Sequence, residues 1–563
     1  MSDSEQSKEQ KGIVKRTLSR RKFNMIAGGS VLLAACGDNG DTAQPAATTT
    51  AAPATTTEAA PATTTPATTT TIAATTTTEA GATTTTAAPR PLKTLRYGYH
   101  AATTSADTLD PAYRTSSTDG LFQTLVSEQI VRLDENLTPT PHLAERWEAN
   151  ADGTEWTFHL RDGITFHNGK PFVAADVVYT FQRLLDPDVA SPGAGGLPGL
   201  EPDGITAPDD HTVVMRLTQP NVDWPEAITN SHTRIVPEGA TNADLAAQSL
   251  GTGAYRIDEF IPGEISTVFE RNENYWQPGF PKVDFMEVIA IGEAEARLAA
   301  IRQGQVDILS EVPLASVDDL EADPDIEIVT NPIGSSSVAY CQIDVPPFDN
   351  NDLRLAIKYA TNRPQHSDLV YGGRAHLMND IPLPGLIRFG LGGSREHDLA
   401  MAREHLSRAG YPDGIDLTLT MAEMQDWTVW CPVWQQQLAE AGINMELNVT
   451  PADTYWGDQW LSAPFAMTGW NVRTVDHGLG LWYHSEAEWN ETHWRSEEFD
   501  ADLAAARSTT DEAERTRLYH KMQQQIIDEG GHFVPTMYGF FSAVRAGVTG
   551  WQPRGVYYTI DIP

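Results

Sequence analysis

Cysteine is almost absent from this chain. Among 563 residues only Cys36, Cys341 and Cys431 occur, which excludes a disulfide-stapled scaffold or a cysteine-rich zinc module. Positive charge is scarce too: 39 Lys and Arg stand against 76 Asp and Glu, a formal net charge of −37. A chain this acidic repels phosphate backbones and anionic membrane faces, so no nucleic-acid partner is expected. The excess acid fits solubility in a saline habitat better than it fits a cationic substrate. Catalytic signatures are missing as well. There is no His-Glu-x-x-His, no Gly-x-Ser-x-Gly and no Cys/His set at metal spacing, and the fifteen histidines are scattered. No enzyme, cofactor or resident metal is expected. Internal repeats are lacking, and beyond the first 35 residues no run is long and apolar enough to span a bilayer, which takes ~20 residues.

What is there begins with a leader. Residues 1–35 carry a net +4 and contain the short apolar run Met25–Leu33. A basic start, a short apolar middle and small residues at a cut site make an export signal rather than a membrane helix. Ser19-Arg20-Arg21-Lys22-Phe23 resembles the twin-arginine consensus. Leu33-Ala34-Ala35-Cys36 resembles a bacterial lipobox, in which the thiol is acylated and becomes the new N-terminus. Residues 36–92 are then a Thr/Ala/Pro tether, too poor in apolar bulk to fold. As a random coil it spans roughly 40 Å. The expected location is outside the cytoplasm, on the outer face of the cell membrane (periplasmic or cell-surface), held there by lipid on Cys36 alone.

The remainder, 93–563, carries about −38 and is too long for one core, so two or more lobes are expected. Val177, Phe181, Leu184 and Leu185 recur at helical spacing after Asp176, up to Pro187. Leu399, Ala402, Leu406 and Ala409 repeat the pattern up to Gly410. Ile415, Leu417, Leu419 and Met421 alternate as a strand, a helix follows to Gly442, and Ile443, Met445, Leu447 and Val449 alternate again. That is a strand–helix–strand unit of a parallel sheet, and the fold class is α/β. Asp511 and Glu514 form a capping-box pattern before the helical face of Leu518, Met522 and Ile526. Cys341 and Cys431 stand in an oxidising compartment, and sequence leaves their pairing open.

Several long motifs stand in order. They are PHLAERWEANADGTEWTFHLRDGITFHNGKPFVAADVVYTFQRLLDP from Pro141, GTGAYRI from Gly251, RNENYW from Arg271, ARLAAIRQGQVDI from Ala296 and PPFDNNDLRLAIKYATNR from Pro346. The chain resembles in them the family 5 extracellular solute-binding proteins of peptide- and nickel-type ABC importers, and the resemblance covers 93–563. It implies a bilobal, Venus-flytrap fold that closes on a ligand. Lobe I would be 93–336 plus 534–563, with a subdomain at about 119–235, and lobe II 337–533. The hinge would lie near Ser335–Val338 and Val534–Thr536. The implied partners are a peptide or other small solute and an ABC permease heterodimer with its ATPases, and the protein itself would be a monomer. Nickel or a metal chelate (with His484 and His493 near the cleft), an oligosaccharide, or a transporter-independent sensing role are the alternatives.

Nine of the fourteen tryptophans fall between Trp427 and Trp494, suited either to the core of lobe II or to the flat apolar walls of a cleft. In peptide-binding relatives a Gly-Trp strand end leads to an acid three residues past the tryptophan, which anchors an ammonium. Here Gly469-Trp470-Asn471 leads to Arg473 instead, with Asp476 beyond it. A guanidinium matches a carboxylate rather than an ammonium, so a carboxylate-bearing solute is expected, unless Arg473 pairs with Asp476 or another local acid. The resemblance places Tyr113, Arg114, Ser116 and Ser117 on the opposite wall. The expected ligand-binding set is these four with Trp427, Gly469, Trp470, Asn471, Arg473 and Asp476.

Overall fold

A computed structural model of the protein describes residues 92–101, 103–552 and 557–563. The leader, the twin-arginine stretch, Cys36 and the tether up to residue 91 lie outside the described residues. The main element is a twelve-stranded mixed sheet. Its strands run in the order Ile443–Thr450, Ile415–Ala422, Phe465–Asn471, Ile326–Cys341, Thr536–Arg545, Ile308–Leu309, Thr94–Tyr99, Phe285–Ala290, Ser266–Arg271 and Tyr255–Arg256. His376–Leu377 and His532–Phe533 pair at the side. The sheet is continuous because Ile326–Cys341 and Thr536–Arg545 are long enough to belong to two cores. Ile326, Phe541 and Ala543 pack with Leu298, Val306 and Leu320, whereas Val338–Cys341 and Met537 pack in the large core built from residues between Ile333 and Met537. A separate antiparallel sheet of four strands (Ala144–Ala149, Glu155–Leu160, Thr212–Leu217, Leu200–Asp209) covers a further core with the helix Ala174–Leu185.

The periodicities place the elements correctly. Trp156, Phe158 and Leu160 are the buried positions of their strand. Ile415–Ala422 and Ile443–Thr450 pair in parallel, and the helix Gln425–Glu440 connects them. One detail differs from expectation. The Asp511 carboxylate caps the helix Glu512–Glu529 through the N–H groups of Ala513 and Glu514, but the Glu514 carboxylate turns to Arg517 at 2.7 and 2.8 Å instead of reaching back. A guanidinium one turn away is a stronger donor than the cap's N–H. Cys341 and Cys431 are both free and buried, so the open question of their pairing resolves to two thiols. Burial pushes the Cys341 thiol up to about 12, which keeps it protonated.

Glycines mark where backbones touch. A Cβ on Gly251 would lie 1.9 Å from the Val126 carbonyl oxygen, and one on Gly253 2.5 Å from that of Leu125. The Gly-x-Gly of that motif therefore serves close packing against the chain at 125–127. The same device recurs where the two long strands cross from one core to the other. Their register shifts between Asn331 and Ser335. A Cβ on Gly334 would meet the Tyr538 carbonyl oxygen at 2.0 Å, and one on Gly539 would meet that of Asn331 at 2.3 Å. Gly334→Ala should force the strands apart at this crossing and destabilise the fold by about 3 kcal/mol. A urea midpoint unchanged from that of the parent would show that the strands are not held this close.

Candidate functional site

The sheet brings strand ends together from both of the cores that the long strands connect. Thr94–Tyr99 runs parallel to Phe285–Ala290 and Ile308–Leu309, so His100, Ser310 and Glu311 emerge at one carboxyl edge. In open α/β sheets ligands bind in the crevice beyond such carboxyl ends. His100 Nδ1 lies 3.2 Å from Ser310 Oγ and its Nε2 3.5 Å from Glu311 Oε1. Burial, with the Arg297 guanidinium nearby, lowers His100 to about 4, so the ring is neutral at pH 7. Burial raises the Glu311 carboxyl to about 7 against the pull of Arg297. Glu311 also holds φ at 51°, a left-handed conformation that is costly for a non-glycine residue and concentrates at functional sites.

The large core supplies the facing wall. Its parallel strands Ile415–Ala422 and Ile443–Thr450 end beside the first turn of the helix Gln425–Glu440, which carries Asp426. Asp426 is exposed, yet desolvation raises its carboxyl and its bond to the Tyr538 phenol lowers it. Crowding with water still in reach is what a crevice wall gives. Tyr538 stands on the long strand, stacks on Tyr371 at 5.3 Å and bonds Ser335. Tyr538 lies in the field of both Asp426 and Glu311, and Tyr99 in that of Glu311 and Arg114. Two carboxylates and a guanidinium thus line one path over two phenols.

The expected residues divide. Gly469, Trp470 and Asn471 pair with Ser337, Ser336 and Ser335 of the long strand, and Ser335 Oγ donates to the Trp470 carbonyl at 3.2 Å. The Trp470 ring itself is buried. Its indole N–H donates to Glu491 at 2.9 Å, as does that of Trp460, and His532 Nε2 lies at 2.9 Å from the same carboxylate. Trp427 is buried against Tyr455 and Trp456. Of the nine clustered tryptophans only Trp456 and Trp489 keep partial exposure, so the cluster is mostly core. Ser116 caps the helix Ser117–Val126 through the Asp119 N–H, while Ser117 bonds the Tyr99 phenol. Tyr113 accepts a hydrogen bond from Asn242 at 3.0 Å, and Arg114 donates to Ser231 at 2.8 Å. Arg473 Nη1 lies 3.5 Å from the Asn471 carbonyl oxygen. His493 faces Asp344 at 2.7 Å, and His484 accepts from the Glu486 N–H at 3.2 Å.

Asp476 belongs to a different arrangement. Arg507 holds it through Nε at 2.7 Å and Nη2 at 3.1 Å, and the Tyr519 hydroxyl lies 3.1 Å away. The same hydroxyl is 2.7 Å from Asp223, which also takes Arg515. Glu226 meets Arg388 at 3.3 Å, and Val222 N–H donates to the Arg507 carbonyl at 2.9 Å. The 222–226 segment is thereby tied to the large core through two of its carboxylates, Asp223 on Arg515 and Glu226 on Arg388, and through the Val222 N–H, beside the Asp476–Arg507 pair.

Glu311, Asp426, Tyr99 and Tyr538 were not singled out from the sequence. A faint signal existed for two of them. Glu311 stands three residues past the matched motif ending Val306-Asp307-Ile308, and Asp426 precedes Trp427. The two tyrosines carry no local mark, because only the sheet order brings residues 99, 311 and 538 together.

Two cores bridged by a pair of long strands, with titratable groups at the carboxyl strand ends, are an architecture suited to a solute-binding protein. The chain belongs to the bacterial extracellular solute-binding proteins, family 5, which it matches over residues 138–491. It is 27% identical over 452 residues to the glutathione-binding protein GsiB of Escherichia coli K12, covering 76% of this chain and 84% of that one. Among solved structures it resembles DppA from Helicobacter pylori in complex with the peptide STSA, with a TM-score of 0.67, 24% identity and coverage of 83% and 98%. It also resembles AgaA in complex with agropinic acid from A. tumefacien R10, with a TM-score of 0.65, 23% identity and coverage of 84% and 99%. Among the described residues no helix is long and apolar enough to cross a membrane.

The three-carboxylate network makes stability pH-dependent. Burial, with Asp223 adding to it, raises the Glu226 carboxyl from 4.5 to about 8. The folded state therefore binds a proton that the unfolded state has lost, and this contribution to stability falls as pH rises from about 4.5 to 8. Glu226→Gln, which cannot ionise, should flatten that part of the profile. Urea midpoints from pH 5 to 8.5 check this, and parallel profiles for the two proteins would contradict it.

Proposed function

We propose that the protein captures a peptide or peptide-like solute in the crevice between its two halves and delivers it to an ABC permease heterodimer driven by its ATPases. The observation that carries this reading is the convergence of Glu311, Asp426 and Arg114 about Tyr99 and Tyr538. Carboxylates suit an ammonium, and a guanidinium suits a carboxylate, so the matched ligand is a zwitterion. The ligands of the similar proteins (glutathione, a peptide, agropinic acid) all carry carboxylates, which supports the same class. On this reading 93–336 with 534–563 moves as one lobe and 337–533 as the other. The hinge lies near Ser335–Val338 and Val534–Thr536, and the protein acts as a monomer. Trp470 positions the strand end, while Ser335, Asn471 and Arg473 stand at the cleft.

The proposal extends to the cell surface. The leader exports the chain, lipid on Cys36 anchors it, and the tether gives the lobes reach. Cys36→Ala should then appear in the soluble fraction without acyl mass on the mature N-terminus; acylation elsewhere, or none in the parent, would remove the anchor from the account.

Closure on a ligand stabilises the folded state by RT ln(1 + [L]/Kd), ~2.7 kcal/mol at a hundredfold excess over Kd. A thermal-shift panel of short peptides, glutathione, opines and oligosaccharides therefore reads out the ligand class directly. A zwitterionic member should give the largest shift. Blocking its amine by acetylation, or replacing Glu311→Gln or Asp426→Asn, should weaken it by about tenfold or more. Response to oligosaccharides alone, with both variants unaffected, would overturn the peptide-like assignment.

A further inference from the structure

The helix Ser117–Val126 carries on one face Ser117, Gly120 and Thr124, which follow each other at helical spacing. Two guanidiniums lie along that face. Arg114 covers Gly120 so closely that a Cβ there would lie 2.6 Å from its Nε and Nη2. Glycine inside a helix costs about 1 kcal/mol relative to alanine, and here its bare surface makes the room. One turn on, Arg234 Nη2 donates to Thr124 Oγ1 at 2.7 Å and Nη1 to the Ser127 carbonyl at 2.9 Å. The two heads are thus about one turn, ~5.4 Å, apart along the helix.

Neither head makes an ion pair among the described residues, although the chain carries −37. The neighbouring acids are already used. Asp119 accepts from the N–H groups of Thr108, Thr115 and Ser116. Glu128 takes His142, Thr252, Tyr275 and Trp276. Both Nε–H groups, of Arg114 and of Arg234, are buried without a hydrogen-bond partner. Such an orphaned donor costs about 1–3 kcal/mol, and two like charges this close repel. The burial of Arg234, reinforced by Arg114, lowers it to about 10. Arg234 and Thr124 also line a cavity of about 790 Å³, together with Glu128, Asp134, Glu135, Arg132 and Tyr558, while Arg114 lies off that lining. An anion held between the heads would answer two of these features, the unpaired charges and the open volume beside Arg234.

We propose that Arg114 and Arg234 form a carboxylate subsite on the helix Ser117–Val126, and that it selects solutes with an acidic group there. It rests on the capture reading for its place in the molecule and narrows the substrate class to solutes with a carboxylate at that end. The carboxylate bridges the two guanidiniums, and the rest of the solute lies towards the cavity.

Sodium glutarate is the probe, titrated into the full chain at an ionic strength held constant with sodium chloride, with dimethyl glutarate as the uncharged control. The expected result is a rise in melting temperature with glutarate and none with the ester. Arg234→Gln and Arg114→Gln should each weaken glutarate by about tenfold, and Arg234→Lys should keep most of the binding, which a purely structural tie to Thr124 would not explain. If Arg234→Gln does not fold, Arg114→Gln gives the same reading. Equal glutarate affinity in the parent and the Gln variants overturns the subsite, as does an equal response to the ester or no response in the parent. A panel solute that binds the parent and Arg234→Gln alike leaves capture standing and removes the subsite alone.

Discussion

Two strands have to serve two cores at once. Ile326–Cys341 and Thr536–Arg545 pair along most of their length, yet their ends are buried in different hydrophobic clusters. A pair of that kind can bend only where its ladder is interrupted, and the register shift between Asn331 and Ser335 supplies the interruption. Gly334 and Gly539 let the backbones approach across it, where any side chain would collide with a carbonyl oxygen. The candidate site follows from the same place. Ser335 and Tyr538 face each other at the shift, the Gly469–Asn471 strand end docks on Ser335–Ser337, and the carboxyl ends of the flanking parallel strands open on either side. Gly334 and Gly539 keep side-chain bulk out of the crossing itself.

Acidic excess shapes how the interior is built. Glu491 has no exposed surface, yet two indole N–H groups and His532 surround it. Trp460 and Trp470 act as donors to that buried carboxyl group as well as apolar filler. Their rings pack edge-on or tilted at 5–7 Å spacing, the geometry aromatic quadrupoles favour. A core of Leu and Ile could not hold that charge. Farther out, Asp223, Glu226 and Asp476 are crowded against Arg388, Arg507 and Arg515, so one carboxyl keeps its proton at neutral pH.

Much of the fold was legible because it is local. Alternation at Trp156–Leu160 and Ile415–Met421 and helical spacing after Asp176 and Leu399 each reflect one buried face of one element. The site was less legible, because it is assembled from sequence-distant pieces: residue 99 from the first strand of the sheet, 311 from its sixth in spatial order, 426 from a helix start and 538 from the returning strand. Trp470 and Asp476 show the converse. Both stand in a motif that reads as ligand-binding, and in three dimensions each has an internal partner, Glu491 and Arg507, more than twenty residues away. A residue type suited to a ligand is equally suited to a buried protein group, and only the partner's position distinguishes the two.

Glu311 shows how an empty crevice in an acidic protein avoids a prohibitive field. Its strained backbone points a carboxyl into a desolvated corner between His100 and Arg297. With His100 neutral, burial lifts the Glu311 carboxyl to about 7, so its protonated and ionised forms are both accessible near neutral pH. An ammonium arriving there would favour the ionised form and drive the remaining proton off. The attraction is then generated by the ligand itself and is weak before it arrives. A neutral solute of the same shape would induce no such change. On the same wall as Glu311, the Arg114 guanidinium keeps its charge at physiological pH and attracts anions at all times. The asymmetry between an adjustable acid and a fixed base sets the polarity in which a zwitterion would lie.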